Sequence, residues 1–155
     1  MCKTFDSLSG EQLRNIIENR VFRHIRLPAL ERWLRPCPLL SFKKGDQLVT
    51  SGAPATAAYV VVSGKTQVYE NSVDGDIHAR TVFNGPAFHG QIELLREANF
   101  FATVKAKTTT EAFQVDKPTL LGWLNQSHRL TMNLLLETAH LGHVLLADRK
   151  VDLFG

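Results

Sequence analysis

The sequence predicts a mainly β domain, a barrel or sandwich of short strands held between N-terminal helices and a long C-terminal helix. Three observations carry this. Over residues 39–116, runs rich in Val, Thr, Phe and Tyr are broken at intervals of roughly 8–12 residues by Gly, Pro, Asn and Asp turn signals. On either side of that region apolar residues recur at helical steps. The chain has 155 residues, 44% apolar and 21% charged, as expected of one ordinary globular domain that can bury a core.

The elements follow in order. Ser9 and Gln12 fit a capping box, and Leu13, Ile16, Ile17 and Val21 then share a face, so a helix is expected over about 10–21. A second helix is expected over 28–35, with Pro28 in its first turn and Leu30, Trp33 and Leu34 on one side, stopped by Pro36 and Pro38. Residues 1–38 thus form an N-terminal helical segment, 39–116 the β region and 117–155 a C-terminal helical segment, all of one domain. Within the β region, Ser63-Gly64 reads as the turn of a hairpin over 59–69. Asp74-Gly75 reads as the turn of another, joining 67–71 to 77–83.

After Asp116, Pro118 opens a short helix, and Ser127 is placed to cap a longer one running to about Lys150. Leu130, Leu134, Leu141, Val144, Leu145 and Val151 line one side of that long helix. This is more apolar surface than a small barrel covers. A second copy packed as a coiled coil would cover it, so a homodimer is expected, with Leu134, Leu141, Val144 and Leu145 in the seam.

The net charge is +3, and much of the excess lies early, in Arg14, Arg20, Arg23, Arg26, Arg32 and Arg35. No aromatic residues interleave with these charges as stacking platforms, so a solvated surface is the expectation rather than a nucleic-acid face. Cys2 and Cys37 provide neither a disulfide framework nor metal-ligand spacing. No signal peptide opens the chain, and no apolar run approaches the roughly 18 residues that span a bilayer. A reduced, cytoplasmic, soluble protein without a membrane partner is expected. Glu137, His140 and His143 recur at three-residue steps on the long helix, but polar residues flanking an apolar seam explain them, and no metal is expected. His78 and His89 stand isolated on different segments, and no nucleophile-elbow pattern is present, so no enzyme is expected.

One stretch has the layout of a binding site. His89-Gly90-Gln91-Ile92-Glu93-Leu94-Leu95 opens a short helical turn at a glycine, and Phe100-Phe101-Ala102-Thr103-Val104 follows as a strand. Such a helix start can cradle an anion with backbone N–H groups, yet no cation stands where its partner belongs.

These segments resemble the cyclic-nucleotide-binding domain of the catabolite-activator (Crp/Fnr) type. Phe42-Lys43-Lys44-Gly45-Asp46-Gln47-Leu48-Val49 is similar to that family's opening F-x-x-G-x-x-[LI] strand pair, and residues 51–65 resemble its two-glycine signature around Tyr59-Val60-Val61-Val62. The resemblance covers about 20–152. It implies an eight-stranded jelly-roll (cupin-like, double-stranded β-helix) barrel with flanking helices. No cofactor is required; a cyclic nucleotide or another small ligand is what the resemblance implies.

By the same resemblance the phosphate-binding cassette occupies 88–104, with Gly90, Gln91, Ile92, Phe100, Phe101, Ala102 and Thr103 as its ligand-facing positions. Gln91 stands where the family's glutamate accepts a bond from the ribose, and Phe100 where its arginine pairs with the phosphate. Losing a charged partner removes a contact of about 1.5–3 kcal/mol, while the anion keeps its desolvation cost. Arg96 is an auxiliary candidate that could fold back. His89 is another, though it is mostly neutral at pH 7, and a haem role lacks a second ligand. Lys105 and Lys107 alternate with Val104 and Ala106 and should face solvent. Ala147 and Asp148 fall near the positions where hydroxyl residues of the family contact the purine.

Three functions are therefore weighed. The first is a non-enzymatic sensor or regulatory domain with weak or lost cyclic AMP and cyclic GMP binding, or an altered ligand. The second is the sensing half of a Crp/Fnr-type transcription regulator truncated before its helix-turn-helix, with no direct DNA binding by this chain alone. The third is a ligand-free dimerisation or docking module.

Overall fold

The computed structural model describes residues 3–71 and 77–149, without the side chains of Asn71 and Arg80 and with those of the last helix described as far as His140. Its first helix, α1, spans Gly10–Glu18 and begins with the expected capping box: Ser9 Oγ accepts from Gln12 N–H at 3.1 Å, and Gln12 Oε1 accepts from Ser9 N–H at 2.9 Å. The helix ends three residues earlier than its apolar pattern suggested. Asn19 leaves the helical conformation, its Oδ1 accepts from Val21 N–H at 3.1 Å, and a 3-10 turn follows over Arg20–Phe22. The reason is burial. With the chain redirected at Asn19, Val21 and Phe22 of the 3-10 turn both enter the core.

Helix α2 spans Leu27–Leu34 with Pro28 in its first turn, burying Leu30, Trp33 and Leu34. Eight strands follow: β1 Leu39–Phe42, β2 Gln47–Val49, β3 Ala58–Ser63, β4 Lys65–Asn71, β5 Ile77–Asn84, β6 Ala87–His89, β7 Ala102–Ala106 and β8 Thr110–Val115. Helix α3, Gln91–Arg96, lies between β6 and β7, and α4, Lys117–Gln126, and α5, His128–Arg149, follow β8. The strands form two antiparallel four-stranded sheets in the order β1-β8-β3-β6 and β2-β7-β4-β5, the jelly-roll arrangement.

The expected hairpin over 59–69 is corrected. β3 and β4 lie in different sheets, and Gly64 alone separates them. One residue is too short for a two-residue hairpin turn, so the chain instead bends from one sheet into the other at this corner. Gly64 has φ +94, and a Cβ there would lie 2.4 Å from Thr109 O and 2.5 Å from Thr110 Oγ1. The second hairpin is present as a pairing of β4 with β5, Asn71 opposite Ile77 and Glu70 opposite His78. Its turn residues Asp74 and Gly75 lie outside the described residues, as do Lys150 and Val151 at the far end.

The main core sits between the β1-β8-β3-β6 sheet and the helices. Trp33 of α2 stacks on Trp123 of α4 with ring centroids 5.8 Å apart, and Phe22 meets Trp123 edge-on at 6.5 Å. Cys37 is buried here as a thiol, its pKa pushed up to about 11 by desolvation and by the charge of Asp116. Ser127 caps α5 as expected, its Oγ accepting from Leu130 N–H at 3.0 Å. Asn133 then ties α5 to the N-terminal turn, its Nδ2 donating to Val21 O at 3.0 Å and Arg23 O at 2.7 Å. Leu134 is corrected as well. It is 6% exposed and packs into this core, because the Arg20–Phe22 turn and α4 cover that side of α5. Among the described residues of the helix, Met132, Leu135 (59%) and Leu136 (61%) are the exposed large apolar ones.

Candidate functional site

The cassette is built where β6 runs into α3. Gly90 takes φ +85, and a Cβ on it would sit 3.0 Å from Phe100 Cε1 and 3.3 Å from Ala57 O. Glycine is thus required twice here, for the left-handed backbone and for the approach of Phe100. The helix is six residues long and ends at Glu97, itself left-handed at φ 57, whose side chain is ion-paired with Lys117. The returning segment is then fixed to the loop after β2. Phe100 N–H donates to Ala53 O at 2.9 Å, and Gly52 N–H donates to Phe100 O at 2.8 Å. These two bonds aim the Phe100 ring inward, where it is buried against Val49 and Val104.

Above that ring is a cavity of about 100 Å³, with Val49, Val68, Phe83, Phe88, Phe100 and Val104 as apolar walls. Its polar lining comes from Glu70, Thr81, His89, Gln91 and Glu93. Among the described lining residues none is a lysine or arginine.

Gln91 is 8% exposed, and its amide has no hydrogen-bond partner among the described residues. Glu93 is also 8% exposed. Desolvation pushes its pKa up, opposed by a hydrogen bond from its own backbone N–H and by the charge of Arg96. The carboxylate belongs to the first turn of α3 and lines the cavity that this turn faces. His89 is fully inside the barrel. Its Nε2 lies 2.9 Å from Thr66 Oγ1, Phe83 meets its ring edge-on at 5.0 Å, and burial lowers its pKa to about 4. At neutral pH it is an uncharged ring bonded to a threonine.

Of the positions read from the sequence, Gly90, Gln91, Ile92, Phe100, Phe101, Ala102 and His89 all line this cavity. Phe101 stands at its mouth, 54% exposed. Thr103 does not line it; its Oγ1 accepts from Ser51 N–H at 3.0 Å and joins β7 to the loop after β2. Arg96 is exposed and outside the lining, on the last turn of a helix whose first turn faces the cavity, so it does not take the place of the missing cation. Val104 and Ala106 are buried as expected, while the Lys105 ammonium lies over the Tyr69 ring at 5.1 Å. Ala147 and Asp148 belong to α5, and their side chains lie outside the described residues, as do those of Leu141, Val144 and Leu145.

Glu93, Glu70 and Thr81 were not anticipated. Val68 with Glu70, and Thr81 with Phe83, are alternate residues of neighbouring strands, so each pair shares one sheet face. Glu93 lay in plain view, two residues past Gln91. Among the described residues no three His, Cys, Asp or Glu side chains gather as a metal site. No described helix is long and apolar enough to cross a membrane.

Comparison with known proteins agrees with this architecture. The profile of the cyclic nucleotide-binding domain matches residues 39–127, more than half of the chain, and the chain belongs to that family. It is 21% identical over 109 residues to a CRP-like cAMP-activated global transcriptional regulator of Mycobacterium tuberculosis, covering 70% of this chain and 47% of that one. The chain thus spans about half the length of the curated relatives it matches. Its fold is similar to that of the catabolite activator protein of Thermus thermophilus, with a TM-score of 0.77 and 20% identity over 87% of this chain and 62% of the other. It is also similar to the sensor domain of the transcriptional regulator DNR from Pseudomonas aeruginosa, with a TM-score of 0.68 and 21% identity over 92% and 94% of the two chains.

Proposed function

We propose that this chain is a non-enzymatic sensor domain whose cassette does not take a cyclic nucleotide as its working ligand. The carrying observation is that Phe100 and the buried Glu93 line the same cavity. The ring of Phe100 fills part of the cavity where the family's arginine is expected, and the Glu93 carboxylate lies in the same lining. A cyclic phosphate brought there would meet a carboxylate, with no cation among the described lining residues. A space of about 100 Å³ is also small for a purine, a ribose and a phosphate together. The residues present do not fit the group. Calorimetric titration with cyclic AMP and cyclic GMP should register no binding below about millimolar concentration; low-micromolar binding of either would overturn the reading.

The output side of such a sensor is the outer face of α5. Met132, Leu135 and Leu136 are exposed along it, and large apolar residues grouped on a surface mark an interaction site. A second copy is the expected partner, in place of the Leu134 face expected from the sequence.

A second reading has its own support. The chain spans 47% of the length of the regulator from M. tuberculosis, which favours a sensing half joined in the whole protein to a DNA-reading domain. A gel-shift assay with this chain alone should then be negative, and one with a protein extended by a helix-turn-helix should be positive.

A further inference from the structure

We propose that the cassette cavity binds a small apolar amine, a single-ring or short-chain molecule that carries its hydrogen-bond donors at one end. The proposal rests on the reading above that the cassette does not hold a cyclic phosphate, and it names what the cavity takes instead.

Size sets the first limit. An engineered cavity of about 150 Å³ lined by Leu, Ile and Phe accommodates benzene. The cavity here is about 100 Å³ and is walled by valines and phenylalanines. This is smaller than the benzene-binding cavity, so a short chain fits within it, or a single ring seated partly in the mouth beside exposed Phe101, with Phe83, Phe88 and Phe100 as aromatic contacts.

The polar groups set the chemistry. Gln91 is 92% buried, lines the cavity, and has no hydrogen-bond partner among the described residues. Buried amides are ordinarily satisfied, so a partner supplied from within the cavity is the expected completion. Glu93, equally buried and two residues further on, adds a carboxylate to the same lining. Gln91 can accept through Oε1 and donate through Nε2, while the Glu93 carboxylate, when ionised, only accepts, so Glu93 sets the preference. Glu70 is already engaged by a neighbour and is not counted. His89 is occupied by Thr66. With acceptors at one end and no lysine or arginine among the described lining residues, the complementary ligand is a donor, and a cationic donor relieves the desolvation of Glu93. An anion of the same shape would face a carboxylate with no lysine or arginine among the described lining residues.

The test is a set of probes of matched shape and different charge. Benzylamine, benzyl alcohol and benzoate are titrated into the protein by NMR chemical-shift mapping, with cyclic AMP in parallel. Benzylamine should bind at least about tenfold more tightly than benzoate, with shifts at Gly90, Gln91 and Ala102. Glu93→Gln should bring the two within about threefold of each other, and Gln91→Leu should weaken benzylamine several-fold. Ala102→Leu, which fills the cavity, should abolish binding of all three rings while the variant still unfolds cooperatively. Benzoate binding as well as benzylamine, the amine preference persisting in Glu93→Gln, or no ring bound at about 10 mM would each overturn the proposal. Low-micromolar binding of cyclic AMP would overturn the underlying reading too; silence from cyclic AMP with benzoate preferred would sink the amine alone.

Discussion

His89 Nε2 lies 2.9 Å from Thr66 Oγ1, and this bond joins β6 of one sheet to β4 of the other across the barrel interior. Both residues are buried, and the imidazole is held neutral by desolvation, its pKa lowered from 6.5 to about 4. The sign of the pH dependence follows. Between pH 6.5 and about 4 the unfolded chain binds a proton that the folded chain refuses. Stability from this site is therefore complete above pH 6.5 and falls as pH drops toward 4, by at most about 3 kcal/mol. Urea midpoints measured at pH 7, 5.5 and 4.5 should show that decline. His89→Gln should flatten it, and an equal slope in both proteins would refute the assignment.

Gly64 carries the corner between the sheets. A methyl group there meets the backbone of Thr109 and Thr110 at 2.4 to 2.8 Å, and the backbone is already left-handed. Gly64→Ala should destabilise the domain by roughly 3 kcal/mol or more, since neither backbone partner can move without opening the sheet edge. Gly10→Ala is the control. A Cβ at Gly10 meets nothing within 4 Å, and alanine there should leave the melting temperature unchanged or raised.

Asn133 satisfies two backbone carbonyls of the N-terminal turn with one amide. Asn133→Ala leaves both carbonyls without that donor and should cost about 2 kcal/mol in chemical denaturation. Asn133→Asp replaces the donor by a carboxylate facing two carbonyl oxygens. It should cost more at pH 7, with part of the loss recovered in acid as the carboxyl protonates.

The two sides of α5 are separable by mutation. Leu134 lies in the core, so Leu134→Ala should cost about 2–5 kcal/mol without requiring any change of assembly. Leu135 and Leu136 are exposed, so Leu135→Glu with Leu136→Glu should leave monomer stability nearly unchanged. If the outer face pairs two copies, sedimentation velocity at tens of micromolar should show a dimer for the parent and a monomer for the double variant. A parent that sediments as a monomer would remove this face from the proposed output.

Much of the domain is legible in local chemistry. Ser9 and Gln12 cap α1, Asp116 caps α4 by accepting from Thr119 N–H at 2.9 Å, and Ser127 caps α5, each pairing side chains with backbone a few residues away. Gly45, Gly52, Gly64, Gly85 and Gly90 all have positive φ at the turns their positions mark. In the cassette, Gly90, Gln91 and Phe100 were found because a family pattern fixes where each belongs. Glu93 escaped because its significance is burial and proximity to a helix N–H, neither of which a motif expresses.

Sequence by itself determined the alternation of strand and turn and the helix starts, because these depend on interactions between near neighbours in the chain, while the cassette positions were legible through the family resemblance. Tertiary structure alone decided which sheet each strand joins and which side of α5 is spent on the core. It also decided that Phe100, Gln91 and Glu93 converge on one cavity without a described cation. Those outcomes are set by contacts between residues far apart in the chain, where burial and the space left by other side chains choose among arrangements that local preference leaves equal.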